Sequence, residues 1–100
     1  MRPSISTHVL DTERGEPARG LRVELFRRDV LLSAQATDAD GRITDLVRGP
    51  LEPGSYRLVF RLGGGFFSCV QVEFAVDDPG RHYHIPLLVA PYACTTYRGS

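Results

Sequence analysis

The chain has 100 residues, of which 12 are basic and 12 are acidic, so its formal net charge is zero. This balance gives no electrostatic basis for binding nucleic acid or an anionic membrane, and the longest apolar runs are far short of the about 20 residues of a membrane-spanning helix. The length predicts a single domain, 1–100. A domain of this size has little core to spare, so oligomerisation is a common source of extra stability.

The N-terminal half alternates between apolar and polar residues with the period of two that is typical of strands. In the first predicted strand, Ile5 and Val9 share one face, so His8 lies on the opposite face. The turn sequence at 38–41 ends in glycine and places Arg42 at the mouth of a short strand. Strands are predicted at 5–10, 21–26, 31–37 and 43–46.

The C-terminal half continues the same pattern. Strands are predicted at 56–62, 70–76 and 82–89, followed by a last strand that reaches the end of the sequence. The triple glycine at 63–65 is too short and too flexible to hold a helix, and no stretch shows a 3.6-residue period over ten positions. Seven or eight short strands at this spacing predict an all-β antiparallel sandwich or barrel without helices.

The three histidines of the chain are candidates for chemistry. His82 and His84 are two residues apart in one strand and face away from its apolar side, as His8 does in the first strand. Three imidazoles could bind zinc and leave a fourth position open. Two imidazoles beside Arg42 could instead activate water and stabilise a developing anion without a metal. The pattern is also typical of solvated surface histidines, and these three interpretations stay open at this point.

The last four residues continue strand-like sequence instead of fraying into a polar tail, which predicts a docked terminus. Gly99 is the expected point of close backbone approach, and Ser100 is expected to face the histidines. No apolar signal segment precedes the first strand, so we expect a cytoplasmic protein. Cys69 and Cys94 are expected to be unbonded, since two cysteines do not make a disulfide framework.

Four segments of the chain resemble the 5-hydroxyisourate hydrolases, the transthyretin-like enzymes of urate breakdown. They are Ser-Thr-His-Val-Leu-Asp at 6–11, Asp-Gly-Arg at 40–42, His-Tyr-His-Ile-Pro-Leu-Leu at 82–88 and Tyr-Arg-Gly-Ser at 97–100. The terminal tetrapeptide is the most specific of these, because it distinguishes the hydrolases from the carrier transthyretin.

The resemblance implies a transthyretin-like β-sandwich of two four-stranded sheets, assembled as a homotetramer with its active sites at the dimer–dimer interface. It implies hydrolysis of 5-hydroxyisourate to 2-oxo-4-hydroxy-4-carboxy-5-ureidoimidazoline, without a metal or organic cofactor. His8, Arg42 and His84 would be catalytic, whereas His82 would not. The substrate-binding residues would be Tyr97, Arg98, Gly99 and Ser100. Which histidine is the general base does not follow from the motifs.

The chain also departs from the family pattern. A short helix is usual between the strands at 56–62 and 66–76, and here the triple glycine replaces it, so we expect this helix to be absent. Two other functions are compatible with the same motifs. One is a transthyretin-like module that binds a ligand without turning it over, and the other is a zinc-dependent hydrolase built on the three histidines.

Overall fold

The computed structural model of the chain describes residues 4–100, which contain ten β-strands and no helix. The strands are β1 (Ser4–Asp11), β2 (Glu16–Pro17), β3 (Arg22–Arg27), β4 (Val30–Ala36), β5 (Arg42–Ile43), β6 (Gly54–Arg61), β7 (Cys69–Val76), β8 (His82–His84), β9 (Leu87–Ala90) and β10 (Ala93–Thr96). The prediction of an all-β chain without the short helix is therefore confirmed.

The strands form two sheets. One sheet has four strands in the order β4-β3-β6-β7, all antiparallel. The other is built around β1, which pairs with β2 and β5 on one side and with β8 and β9 on the other, and β10 follows β9 at the edge. The pairs of β1 with β8 and β9 are parallel, so this sheet is mixed.

The second sheet has six short strands where the sequence predicted fewer, longer ones, and Pro86 explains part of the difference. Pro86 has no N–H to donate to a neighbouring strand, and the strand predicted at 82–89 is divided there into β8 and β9. Side-chain hydroxyls satisfy the carbonyls at this point: Thr7 donates to the Ile85 carbonyl at 2.6 Å and Thr96 to the Pro86 carbonyl at 2.8 Å. The register of β1 against its partner is the same on both sides of the break.

One apolar cluster lies between the two sheets. Its strand residues come mainly from the predicted core faces of β1, β3, β6, β8 and β9, where the alternation in the sequence corresponds to the observed burial. β4 contributes no buried side chain, and Leu46, Val47 and Leu51 come from the segment between β5 and β6. Members with less than 2% exposure include Ile5, Val9, Val23, Leu25, Leu58, Phe60 and Leu87. The opposite faces of the strands form the outer faces of the sandwich. His8, Arg42, His82 and His84 all lie on the outer face of the sheet built around β1.

The loop between β6 and β7 contains the triple glycine and no helical turn. Cys69 and Cys94 lie in different sheets and are unbonded, as the sequence predicted. No helix that could span a membrane occurs in the part of the chain that the structure describes.

Candidate active site

Arg42 is placed by the turn between β4 and β5. The Asp38 carboxylate accepts hydrogen bonds at 2.9 Å from the backbone N–H groups of Asp40 and Arg42, and the Arg42 hydrogen bond is the first cause of the lowered pKa of Asp38. Gly41 has a φ of 74°, and a Cβ there would overlap the Val9 carbonyl oxygen. Only glycine therefore allows the turn to approach β1 so closely.

His8 lies directly across the ladder from Arg42. The two residues are Cα partners in the antiparallel pair of β1 and β5, so their side chains leave the same face of the sheet. The turn described above therefore brings together an imidazole and a guanidinium that are far apart in the sequence.

His84 belongs to the parallel pair of β1 and β8, where Ser4 faces His82 and Ser6 faces His84. The Ser6 hydroxyl lies 2.7 Å from the Nδ1 atom of His84 and 3.0 Å from the Nε2 atom of His82. The Ser4 hydroxyl contacts the Nδ1 atom of His82. The two rings are nearly parallel, with their centroids 6.4 Å apart and an interplanar angle of 16°.

The environment of His84 favours its neutral form. Its pKa is lowered first by burial, and then by the positive charges that His82, Arg42 and His8 can carry. The Ser6 backbone acts in the opposite direction as a smaller effect. A neutral imidazole can accept a proton, so His84 is suited to act as a base near neutral pH.

The C-terminal residues dock against His84. β10 ends at Thr96, earlier than the sequence predicted, and the chain returns as an isolated bridge in which the Gly99 N–H donates to the His84 carbonyl at 2.8 Å. A Cβ at Gly99 would overlap the Cδ2 atom of His84. The prediction that Gly99 is a point of close approach therefore corresponds to direct packing on an imidazole.

Arg98 anchors the same segment from the other side. Its guanidinium carbon lies 5.0 Å from the ring centroid of Tyr83, a cation–π contact. The Tyr83 hydroxyl in turn donates to the Asp77 carboxylate at 2.9 Å and accepts from the Asp78 N–H at 3.0 Å. Arg98 therefore stacks on a residue that is itself held in place.

A cavity of about 280 Å³ opens on the outer face beside these groups. It is lined by Ser6, Thr7, Arg42, Ile43, Thr44, His82, His84 and Ser100. Arg42, His84 and Ser100 are thus brought together, and His8 stands across the ladder from Arg42 without lining the cavity. Tyr97 and Arg98 line a neighbouring apolar groove of about 240 Å³ instead, which also borders His84.

Sequence reasoning gave Ser6 no role and set His82 apart from the catalytic residues. The structure places both on the cavity, where the Ser6 hydroxyl contacts His84 directly and His82 on its other side. The hydroxyl at position 6 was visible in the motif at 6–11. Its partner was not, because the contact depends on a parallel pairing of segments 78 residues apart.

A larger cavity, of about 580 Å³, lies beside the triple-glycine loop and the turn between β9 and β10. Phe66 lines this cavity and is 74% exposed, and its ring centroid lies 6.1 Å from that of Tyr92, which is 80% exposed and follows the lining residue Pro91. No histidine lines it, so it offers no imidazole for acid–base catalysis. The smaller cavity is therefore the better candidate. Within residues 4–100, no three His, Cys, Asp or Glu side chains are grouped so that they could hold a metal ion.

The fold and the polar cluster together define a transthyretin-like sandwich with histidines and an arginine on one outer face. Residues 5–99 match the model of the HIUase/Transthyretin family, and the chain belongs to this family. It is 39% identical to the 5-hydroxyisourate hydrolase of Deinococcus radiodurans, with 98% of this chain and 97% of that protein covered. It is 38% identical to the 5-hydroxyisourate hydrolase of Halalkalibacterium halodurans, with both chains covered completely.

Solved structures agree with this assignment. The 5-hydroxyisourate hydrolase of Klebsiella pneumoniae matches with a TM-score of 0.90 and 36% identity over the whole of both chains. Sea bream transthyretin in complex with thyroxine matches with a TM-score of 0.87 at 24% identity, over 96% of this chain and 94% of that one, which shows the shared fold alone. The alignment with the Deinococcus protein spans 116 positions, so that protein has residues inside the matched span that this 100-residue chain lacks.

Proposed function

We propose that the chain is a hydrolase that opens the six-membered ring of 5-hydroxyisourate to give 2-oxo-4-hydroxy-4-carboxy-5-ureidoimidazoline. The observation that carries this proposal is the cavity on which His84 and Arg42 meet, in a chain 36–39% identical to named 5-hydroxyisourate hydrolases over nearly its full length. An imidazole that favours its neutral form beside a guanidinium supplies a base and an anion-binding group, the two requirements for adding water to an acyl carbon.

In the proposed reaction, His84 takes a proton from water while the water oxygen bonds to the acyl carbon of the ring. Arg42 stabilises the negative charge that develops on the acyl oxygen by charge-assisted hydrogen bonds. The bond between the acyl carbon and the ring nitrogen then breaks, and that nitrogen receives the proton from His84. His8, across the ladder from Arg42, is the second imidazole of the proposed catalytic set. No step needs a metal or organic cofactor.

The terminal residues complete the proposed site. Ser100 lines the cavity, and Gly99 fixes the backbone against His84. A substrate-binding role for Tyr97 and Arg98 stays a prediction, since in the single chain these residues line the neighbouring groove.

We propose further that the enzyme is a homotetramer with its active sites at the dimer–dimer interface, working in the cytoplasm. The outer face supports the assembly, because the cavity lined by Arg42, His84 and Ser100 lies on the surface of the single chain, and a second subunit would exclude water from it. The edge strands β7 and β10 are also available for pairing with another copy. Two unbonded cysteines are typical of a reducing compartment.

The direct test follows the decay of freshly prepared 5-hydroxyisourate with and without the protein, and with a chelator added. Decay faster than the spontaneous rate and insensitive to chelator is the expected result. Decay at the spontaneous rate would favour the alternative function, a transthyretin-like module that binds a ligand without turning it over. Chelator-sensitive activity would favour the zinc-dependent hydrolase. Sedimentation of the same sample at micromolar concentration tests the tetramer, and a monomer there would contradict the assembly.

A further inference from the structure

The Ser6 hydroxyl lies between two imidazoles, 2.7 Å from Nδ1 of His84 and 3.0 Å from Nε2 of His82. A hydroxyl has one proton to donate, and a neutral imidazole has one donor and one acceptor nitrogen. At least one of the facing nitrogens must therefore carry a proton. When only one of them does, the hydroxyl accepts from that ring and donates to the other, and so links the two rings. The Ser4 hydroxyl beside Nδ1 of His82 extends this chain by one more group.

The three hydrogen bonds that link Ser4, His82, Ser6 and His84 can all run in one direction in two ways. In the first, Nδ1–H of His84 donates to Ser6, Ser6 donates to Nε2 of His82, and Nδ1–H of His82 donates to Ser4. This arrangement leaves Nε2 of His84 without a proton, as a base requires. In the second, every bond is reversed, and Nε2 of His84 carries a proton that it can donate.

We propose that Ser6 and His82 are positioning residues that act on His84 as a proton relay, switching its Nε2 atom between base and acid. This inference rests on the function proposed above. When Nε2 of His84 gains the proton from water, its Nδ1–H bond breaks and the proton moves to the Ser6 oxygen. The former Ser6 proton moves to Nε2 of His82, which then carries the positive charge. When His84 protonates the leaving nitrogen, these transfers reverse and the chain returns to its first arrangement.

The surroundings of the two rings support this direction of transfer. His84 is half-buried and stands near Arg42 and His8, so a positive charge on its ring is costly. In the single chain His82 is more exposed than His84, so a positive charge costs less on His82 than on His84. The relay moves the charge from the unfavourable ring to the favourable one across a single hydroxyl.

The relay is built on regular structure. The parallel register of β1 and β8 pairs Ser4 with His82 and Ser6 with His84 on one face of the sheet. Ser6 is only 8% exposed, so little water can replace its hydroxyl. Groups on paired strands are held more accurately than groups on loops, which is what transfer over hydrogen-bond distances needs.

The kinetic test compares Ser6→Ala, Ser6→Thr and His82→Gln with the parent chain, and Ser55→Ala serves as the matched control. Ser55 is exposed on β6, in the other sheet. A positioned acid–base group typically contributes about 10²–10⁴-fold, and we expect Ser6→Ala to remove a part of this, about 10- to 100-fold in kcat with KM unchanged. Ser6→Thr keeps the hydroxyl and should restore most of the rate. His82→Gln keeps a hydrogen-bonding group but cannot hold the charge, so it should lower kcat as well.

A proton inventory separates a relay from simple packing. For the parent, kcat plotted against the fraction of D₂O should be curved, because more than one proton moves, and for Ser6→Ala and His82→Gln it should be linear. Full activity in Ser6→Ala, or equal losses in Ser6→Ala and Ser6→Thr, would overturn the proposal. Melting temperatures show whether a variant loses activity because it unfolds. If Ser6→Ala does so, the activity of Ser6→Thr decides between a relay and simple packing.

Imidazole ¹⁵N spectra make the test independent of activity. The chain has three histidines, and Ser6→Ala should move the ring signals of both His82 and His84 while those of His8 stay in place. Ring signals of His82 that do not respond would overturn the relay. If the parent does not hydrolyse 5-hydroxyisourate, the proposed function fails, and these spectra still decide whether Ser6 couples the two rings.

Discussion

The outer faces of the two sheets carry similar kinds of residue but balance their charges differently. On the four-stranded sheet, Glu24 is 7% exposed and lies between two arginines, with the Arg22 Nε atom at 2.8 Å and the Arg61 Nη2 atom at 3.0 Å. The hydrogen bond from Arg22 is the first cause of the lowered pKa of Glu24. The buried carboxylate is fully compensated, and nothing about it is available to a ligand.

On the sheet built around β1, the charges are not paired in salt bridges, although the charges of Arg42 and His8 are near enough to the Asp38 carboxylate to contribute to its lowered pKa. The groups whose charges act on His84 are His82, Arg42 and His8, all of which disfavour its protonated form. Among residues 4–100, no carboxylate lies within ion-pair distance of Arg42, His8 or His84. A compensated cluster stabilises a sheet, whereas an uncompensated one keeps its groups available for an anionic substrate or transition state. Substitutions on the two faces should therefore have different effects on activity and stability.

The largest effect is expected for His84→Gln. Removal of the general base should lower kcat/KM by about 10²–10⁴-fold, whereas the melting temperature should change little because the side chain is only half-buried on the outer face. Initial rates and thermal unfolding on the same sample measure both. A large drop in melting temperature with a proportionate loss of rate would mean that His84 stabilises the fold, as Glu24 does on the other sheet, and does not act as the base.

Gly99→Ala should have the next largest effect. The added methyl group overlaps the His84 ring, so either the ring or the terminal segment must move, and a displacement of about 1 Å at a reacting group can cost about 10²-fold. The matched control is Gly80→Ala, because Gly80 and Gly99 are the two described glycines without a positive φ. A Cβ at Gly80 meets only the Asp78 carboxylate, at 3.3 Å. Equal rates in the two variants would contradict the placement of Gly99 against the site.

Most of the fold was accessible from the sequence, because alternation reports which side of a strand is buried. It placed His8 and His84 on the outer face and the core residues of β1, β3 and β6 inside, whereas Arg42 was placed by its turn sequence and not by alternation. The division of one strand at Pro86 was missed, although a proline without an N–H within a strand is a signal for it. The early end of β10 was missed because alternation alone cannot show where pairing stops.

The contacts inside the site were less accessible. Parity gives a face but not a neighbour, and the contacts of Ser6 with His82 and His84 depend on the pairing of β1 with β8. That pairing is parallel and joins the two ends of the chain. Alternation and turn residues predict local structure, but they do not predict which distant strands pair. The close approach of Gly99 could be predicted from its residue type, but the ring that it contacts could not.

Glu24→Gln tests the compensated face. It is expected to leave kcat/KM unchanged and to lower the free energy of unfolding by about 1 kcal/mol, because both arginine partners are about half exposed and solvent screens the lost charge. Denaturant unfolding and initial rates measure the two quantities. A loss of rate in this variant without a loss of stability would contradict the view that only the outer face of the sheet built around β1 takes part in catalysis.

The smallest effect is a shift in pH dependence. Burial, together with the charges of His82, Arg42 and His8, lowers the pKa of His84 from its usual value of 6.5. A base loses activity when it is protonated, so the rate should fall only as the pH decreases through this lowered pKa, and the acid midpoint of kcat/KM should lie below 6.5. The unfolded chain binds this proton at higher pH than the folded one. The contribution of His84 to the free energy of unfolding therefore decreases as the pH falls from 6.5 towards the folded pKa.

Arg42→Gln sharpens this test, because it removes one of the positive charges but leaves the burial of His84 in place. The pKa of His84, followed by NMR so that no activity is needed, should rise in this variant but stay below its usual value, since burial is the first cause of the shift. Glu24→Gln on the opposite face is the matched control and should leave the titration of His84 where it is. A parent midpoint at or above 6.5 would mean that His84 is solvated or compensated. The outer faces of the two sheets would then contain different residues but would not differ in how far their charges are compensated.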